Sequence, residues 1–365
     1  MSVSCTLAGN ISGGGRTGSA RIALLGATGT VGQRFCELLS GHPYFGEPDL
    51  YASGRSAGKT LREFVNLPDA HISPSLLSSS ISEVDAQDIV SHNYIAVFSA
   101  LPSSSAQEIE VRLEKAGLRI FTNASPNRMR PDVPLVVPEV NHEHLRMVWE
   151  KRGFIVANGN CSSIGLALAL RPLVSLGIEH VEVTTMQALS GAGYPGVPSL
   201  DALGNVIPFI DSEEEKLSAE IPKMLGAYSD GKFTPFPVRV DATCTRVPVR
   251  DGHMEAVRVQ CSSRTDAEEV RRLLASFRSL PQELALPTAP VQPVIVREER
   301  DRPQPLLDVN AGSPERARGM AASVGRIRVE GNSIRFVVLT HNTIRGAAGG
   351  SVLNAELMYA GGGLH

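Results

Sequence analysis

The sequence predicts an α/β chain in two parts: an N-terminal doubly wound parallel sheet, then a C-terminal α+β part with a mostly antiparallel sheet. Three observations carry that reading. From Arg21 onward, short apolar strands alternate with helical segments, the pattern of a parallel sheet covered on both faces. Past residue 157 the extended segments lengthen and alternate apolar with polar residues, as half-buried strands do. The 365 residues, 42% hydrophobic and 20% charged, suffice for roughly two domains with substantial cores.

The elements follow in order. The first twenty residues are rich in Gly and Ser and hold no acidic residue, so 1–20 reads as a flexible extension. It lacks the apolar stretch of a signal peptide, and its glycines argue against an amphipathic transit helix. Next, "RIALLGATGTVGQRF" gives a strand, a turn spaced Gly26-x-x-Gly29-x-x-Gly32, and a helix with apolar Val31, Phe35, Leu38 and Leu39. Glycines there permit a tight turn, a close approach of pyrophosphate to backbone, and close helix–strand packing, with the phosphates over the helix start. This is a variant of the dinucleotide fingerprint, and it makes the first part a Rossmann-like domain.

A second strand, "PDLYAS", leads into "SGRSAGK" from Ser53 to Lys59. A domain specific for NAD would carry Asp or Glu here for the ribose hydroxyls. Ser53, Arg55 and Ser56 instead suit a 2′-phosphate, which favours NADP; the plainer reading is a solvated basic loop. The strand Tyr94–Leu101, a helix from Ser103 to Ala116 and the strand "LRIFTNAS" continue the alternation, which closes near "FIVANGN". The NADP-binding domain is thus expected over 21–157, completed by an amphipathic C-terminal helix over 343–360. The second, catalytic and dimerisation domain is expected over 158–342. It holds "IEHVEVTTMQAL", "VRVDATCTRVPV" and "HMEAVRVQC" as strands, a helix near Asp266–Ser279, and a hairpin turning at Gly331-Asn332.

Composition excludes several partners. A net charge of −3 and a pI near 6.3 give no footprint for nucleic acid or an anionic membrane. No apolar run approaches the ~18 residues that span a bilayer. The five cysteines are scattered without a C-x-x-C pair, so neither a disulfide framework nor a zinc cluster is expected and a reducing compartment fits. His142-Glu143-His144 has no metal spacing and reads as a solvated helix start; no metal is expected.

The chemistry is read from "VANGNCSSIGLALAL", where Cys161 stands between a polar turn and an apolar, helix-forming run. A helix start presents unpaired N–H groups and the positive end of the macrodipole, which stabilise a thiolate. The alternative is a small buried hydrophobe. A thiolate beside a nicotinamide suits attack on an aldehyde, loss of hydride and a thioester that phosphate or a related nucleophile releases, and this needs a proton shuttle. "CTRVPVRDGH" offers one, with Arg246 and His253 on a strand–turn–strand.

With these motifs in place the chain resembles the aspartate-semialdehyde dehydrogenases, the archaeal and fungal branch in particular, from about Arg21 to Ala360. The resemblance rests on "GATGTVGQRF", "SGRSAGK", "NASPNRMRPDVPLVVPEVN", "NGNCSSIGLALAL", "QALSGAGYPG", "EEEK", "RVPVRDGH" and "NTIRGAAGGSVLNAE". It implies a cytoplasmic homodimer or homotetramer that converts β-aspartyl phosphate, NADPH and a proton to aspartate semialdehyde, NADP and phosphate, in lysine, threonine and methionine synthesis. It further implies Cys161 as acyl-accepting nucleophile, His253 as general acid/base and Gln187 beside the thioester. Arg246 matches the partner of the substrate α-carboxylate, Glu213 that of the amine, and Arg128 and Lys216 the phosphate ligands. Gly26, Thr28, Gly29, Thr30 and Val31 match the dinucleotide turn, and Ser190, Gly191 and Asn342 the nicotinamide end. The acidic run leaves the register between Glu213 and Glu214 open. Two rival classes stand beside this: a non-catalytic NADP-binding protein, and a reductase of malonyl-CoA or N-acetylglutamyl phosphate.

Overall fold

The computed structural model describes residues 20–364, so the extension read over 1–20 lies outside the described residues except for Ala20. The chain divides into two compact units. The first takes the residues up to Pro134, Leu145–Asn158 and the residues from Ser351; the second takes Leu135–His144 and Gly159–Gly350.

In the first unit, β1 (Ile22–Leu25), β2 (Asp49–Ala52), β3 (Ile81–Glu83), β4 (Ala96–Ser99), β5 (Arg119–Thr122) and β6 (Phe154–Ala157) form one sheet in the order β3-β2-β1-β4-β5-β6. Every pairing is parallel. The central strands are buried along their whole length, which is why they read as continuous apolar runs rather than alternating ones. The order reverses between β1 and β4, the switch point at which such sheets leave a crevice beyond their strand ends. Helices α1 (Thr30–Leu39) and α2 (Ser103–Lys115) follow β1 and β4. Phe35, Phe98, Phe121 and Phe154 make a line of touching rings with centroids 5.2, 5.8 and 6.1 Å apart.

The helix expected over 343–360 is two structures in succession. Ile344–Ala348 is a π-helical turn, and Gly349–Ala360 is α-helical. From Ser351 its residues belong to the first unit, where Glu356 meets His42 at 2.8 Å and Tyr359 stacks on Tyr44 at 5.3 Å.

The second unit is built on β7 (Ile178–Gln187), β10 (Arg239–Arg246), β11 (His253–Cys261), β12 (Val294–Arg297), β13 (Ala322–Glu330) and β14 (Ser333–Thr340), in the order β10-β7-β11-β14-β13-β12. The middle pairings are antiparallel, and the outer pairs β10–β7 and β12–β13 are parallel. A separate hairpin, β8 (Ala227–Ser229) with β9 (Lys232–Thr234), completes the strands. The expected turn at Gly331-Asn332 joins β13 to β14, with Gly331 at φ 65° and Glu330 paired to Ser333. Helices α3 (Cys161–Leu170), α4 (Glu213–Met224) and α5 (Ala267–Ser276) belong to this unit. α3 is so apolar that its residues from Ser162 to Leu170 are all buried.

The reading of His142-Glu143-His144 as solvated needs correction. His144 is fully buried, its Nε2 3.0 Å from the Gly226 carbonyl and its Nδ1 3.0 Å from Asn141. Two hydrogen-bond partners compensate the loss of water that the polar sequence pattern suggested.

Candidate active site

In the first unit the glycine turn is as tight as its spacing requires. Gly26 has φ 82°, and a Cβ there would stand 2.5 Å from the Ala100 carbonyl oxygen; at Gly32 it would stand 2.1 Å from that of Gly26. Gly29 caps α1 without any side-chain hydrogen bond, and no acidic residue lies in the first turn. The first amides of α1 therefore face outward with the macrodipole behind them, an anion site by construction. Thr28, Thr30 and Val31 are half-buried around it.

After β2 the chain turns, with the Ser56 amide donating to the Ser53 carbonyl at 2.8 Å. Ser53 and Arg55 are exposed, whereas Ser56 is buried under the turn. Glu83 borders this loop: a Cβ at Gly54 would meet its carboxylate at 2.7 Å. A cavity of about 880 Å³, lined by Ala57, Gly58, Glu83, Asp85 and Arg112 among others, adjoins it. Arg128 is buried in the same unit and donates to the Asn123 carbonyl at 2.8 Å. Its loop is anchored by Asn127, which donates to Glu110 at 2.7 Å.

The second unit gathers the remaining residues. Cys161 opens α3, two residues past the boundary between the units. Asn160 is the cap. Its Oδ1 accepts from the amides of Ser162 at 3.0 Å and Ser163 at 3.2 Å, so this helix start is not the row of unpaired donors that the sequence suggested. The Asn160 Nδ2 donates to both Glu213 oxygens at 3.0 and 2.8 Å, and its own amide donates to Glu220 at 2.6 Å. Behind Cys161 stands the π-helical turn, so close that a Cβ at Gly346 would lie 2.7 Å from the Cys161 Cβ. A buried bidentate pair of Arg345 with Glu139, at 2.9 and 2.6 Å, holds that turn.

Of the acidic run, Glu213 is the inward member. Besides Asn160 it accepts from Gln187 Nε2 at 3.2 Å and Lys216 Nζ at 2.9 Å, while Glu214 turns to the Cys244 amide at 2.9 Å. Burial pushes the Glu213 carboxyl upward, but Lys216 and the amides of Asn160 and Gln187 prevail and hold it below the usual range. Lys216 is thus an ion-pair partner as well as an expected phosphate ligand.

Arg246, Gln187, His253 and Thr340 form the last row of the buried sheet face. Arg246 is in register with Gln187, and His253 with Thr340. Arg246 Nη1 donates to the Ala188 carbonyl at 2.8 Å, and the Ala188 amide donates to His253 Nδ1 at 3.1 Å. His253 is fully buried; burial first, then the Arg246 charge, push its imidazole down to about 3. Gly191 lies against both: a Cβ there would be 2.7 Å from Arg246 Nη1 and 3.0 Å from His253 Nε2. Ser190 and Asn342 are joined at 2.8 Å, and Asn342 also accepts from the Gly252 amide.

Sequence reasoning therefore named six residues that converge here: Cys161, Gln187, Glu213, Lys216, Arg246 and His253. It missed Asn160, although Asn before a helical run is a cap signal. It also missed Ala188, whose backbone has no sequence signature, and Glu255, a buried carboxyl one row behind His253.

Known proteins resemble the chain over nearly its whole length. Residues 21–148 match the semialdehyde dehydrogenase NAD binding domain, and 170–345 match the semialdehyde dehydrogenase dimerisation domain. An aspartate-semialdehyde dehydrogenase of Archaeoglobus fulgidus is 48% identical, covering 92% of this chain and 97% of that protein. The Saccharomyces cerevisiae one is 40% identical, with 92% and 97% covered. A crystal structure of the Candida albicans enzyme with NADP superposes with TM-score 0.83 at 38% identity, covering 94% of this chain and 99% of that one. With both domains matched and relatives this similar along nearly the whole length, the chain belongs to the aspartate-semialdehyde dehydrogenases, NADP-dependent oxidoreductases that act on an aldehyde.

Proposed function

We propose that the chain interconverts β-aspartyl phosphate and aspartate semialdehyde through a thioester on Cys161. The observation that carries this reading is the convergence of a buried anion, Glu213, and a buried cation, Arg246, on the row flanking Cys161's helix start. A substrate with an α-ammonium and an α-carboxylate needs that pair. Gln187, tied to Glu213, orients the acyl group. Arg128 and Lys216 are the phosphate cations of this reading.

The residues fit NADP. The uncapped amides of α1, the cradle that a Cβ at Gly26 or Gly32 would fill, and exposed Ser53 and Arg55 suit pyrophosphate and 2′-phosphate in turn. When bound, the cofactor supplies or accepts a hydride. Ser190, Gly191 and Asn342 form the wall assigned to its nicotinamide end. Arg246 also tunes His253: a substrate carboxylate seated on Arg246 offsets the charge that lowers the proton affinity of His253.

A homodimer or homotetramer in the cytoplasm, serving lysine, threonine and methionine synthesis, completes the proposal. Support for assembly comes from an exposed apolar run, with Tyr194 73%, Leu200 90%, Leu203 73% and Phe209 64% exposed. Among the described residues no helix is long and apolar enough to cross a membrane.

The test is steady-state kinetics on Cys161→Ala and Glu213→Gln with aspartate semialdehyde, NADP and phosphate. Cys161→Ala is expected to abolish turnover with fold and NADP binding intact. Glu213→Gln is expected to lower kcat/KM at least about tenfold, the loss of one charge-assisted bond of roughly 1.5–3 kcal/mol. Efficient reduction of malonyl-CoA by the wild type, with indifference to Glu213→Gln, would move the assignment to a CoA-dependent reductase.

A further inference from the structure

We propose that the buried pair of Glu139 with Arg345 is a positioning device for Cys161. The pair holds the π-helical turn whose Gly346 backs the nucleophile, and so sets where the sulfur stands during turnover. This rests on the reading of Cys161 as the acyl-accepting thiol and adds two positioning residues to it.

The carboxylate comes from a segment with an unusual place in the chain. Leu135–His144 lies between β5 and β6 in sequence, yet it packs in the second unit while the residues on either side of it, up to Pro134 and from Leu145, belong to the first. It forms a short helical turn, Pro138–Asn141, stitched by Asn141. The Asn141 Oδ1 accepts from the Val137 amide at 2.8 Å, and its Nδ2 donates to the Leu135 carbonyl at 2.9 Å. From this segment Glu139 reaches Arg345, and His144 reaches the Gly226 carbonyl just past the end of α4. One segment therefore holds both the turn behind Cys161 and the end of the helix that carries Glu213 and Lys216.

Stability does not account for the pair. Both side chains are wholly buried, and the cost of taking two charges out of water can exceed what their attraction returns. What a contact of fork to fork adds is direction. The turn it grips needs that. In its π-helical bonds the Gly346 amide donates to the His341 carbonyl at 3.0 Å and the Ala348 amide to that of Thr343 at 3.3 Å, a rare pattern found mostly as single turns. Relaxation to an α-turn would shift the register by one residue and bring Arg345 or Ala347, each with a Cβ, to the place of Gly346. No Cβ fits there: it would stand 2.7 Å from the Cys161 Cβ and 3.0 Å from its Cα. Cys161 would have to move, and a misplacement of about 1 Å can cost roughly a hundredfold in rate.

The test uses the full chain. Removing one partner strands a buried charge, so the informative variant replaces both, Glu139→Leu with Arg345→Met, an exchange that is often neutral or stabilising. Its kcat is expected to fall roughly a hundredfold, with the KM for NADP and for aspartate semialdehyde and the thermal unfolding midpoint close to wild type. Alkylation of Cys161 by iodoacetamide, read on its peptide by mass spectrometry, is expected to keep its rate, because a small reagent needs no fixed geometry. Gly346→Ala should give the same split without touching either charge. Arg345→Lys, which keeps the charge and loses the fork, should fall between wild type and the double variant, and it carries the test if the double variant does not fold. Wild-type kcat in the double variant or in Arg345→Lys overturns the proposal. Alkylation that falls in step with kcat overturns it too, since the loss would then be of thiol reactivity and not of placement. Full activity in Cys161→Ala would instead sink the thioester reading, so the two failures are told apart.

Discussion

Two helices of this molecule begin in the same way in sequence, with a small polar turn running into an apolar stretch, and end up with opposite chemistry. At α1 the cap is Gly29, with no side chain to offer, and the first amides face outward. At α3 the cap is Asn160, whose carbonyl oxygen takes the amides of Ser162 and Ser163 and whose amide nitrogen binds Glu213. The first start is left open for an anion that arrives from solution. The second is closed by the chain itself, so that the residue it positions, Cys161, is held still between Asn160 and the π-helical turn. A helix dipole thus acts at both places, but only α1 has free donors to add to it.

The contrast breaks most severely if the open start is filled. Gly32→Ala would place a Cβ 2.1 Å from the Gly26 carbonyl oxygen and 2.8 Å from Ala27 backbone atoms, none of which can rotate away. Overpacking of this kind costs about 1–3 kcal/mol, and the displaced turn is expected to lose NADP affinity by well over tenfold. Thermal unfolding and NADP titration read the two effects. Wild-type cofactor affinity in this variant would mean that the turn is not the phosphate cradle.

Opening the closed start is the second change. Asn160→Ala removes a cap worth about 1 kcal/mol and strips Glu213 of the amide nitrogen that reaches both its oxygens. Glu213 should then titrate higher than in the wild type, because hydrogen bonding to Asn160 is one of the effects that hold it down. The expected result is a loss of kcat/KM of at least about tenfold with NADP binding unchanged. Asn160→Asp separates the two roles: it keeps the cap but sets a charge against Glu213 and Glu220. Stability retained with activity lost would assign the effect to Glu213, and equal activity of all three proteins would remove Asn160 from the site.

These paired starts also show what a sequence can disclose. The glycine turn was legible because its requirement is local: small residues at that spacing, between a strand and a helix, suit a tight turn that a phosphate approaches closely. The place of Cys161 at a helix start was legible for the same reason. The parallel pairing of β10 with β7 was not, since both segments alternate as antiparallel strands do and only their long connection through α4 permits the crossover. Ala188 lies beyond such reasoning, because its part is played by a peptide group common to nearly every residue. Glu255 was within reach. The alternation in "HMEAVRVQC" puts it on one face with His253, Val257, Val259 and Cys261, a mostly apolar face where a carboxyl stands out.

A milder change sharpens the comparison at the loop proposed for the 2′-phosphate. Arg55 is exposed and stands in a loop that also approaches Glu83. Arg55→Ala is expected to raise the KM for NADP at least about tenfold, within the roughly 1.5–3 kcal/mol of a charge-assisted contact, and to leave NAD nearly unaffected. Equal losses with both cofactors would make Arg55 a structural residue of the loop.

The smallest effect belongs to Glu255, one row behind Gln187, Arg246 and His253. It is in register with Thr185 on β7 and Val338 on β14, and Thr185 is in register with Cys244. Among the described residues neither carboxyl oxygen has a hydrogen-bond partner, and burial raises the group well above its ordinary value of 4.5. The folded state therefore keeps this proton at pH values where the unfolded chain has released it. Stability is lost as pH rises above about 4.5, by at most about 1.4 kcal/mol per pH unit for a single group, until the folded protein ionises too. Glu255→Gln has nearly the same shape and no proton to hold. Its stability relative to the wild type should be close at pH ~4 and grow steadily more favourable toward neutral pH, with kcat little changed because Glu255 makes no hydrogen bond to the residues proposed to hold the substrate. Unfolding measured in parallel on both proteins across that range gives the answer. A difference that stays flat with pH would show that Glu255 is ionised in the fold, and that an unseen cation or donor compensates it.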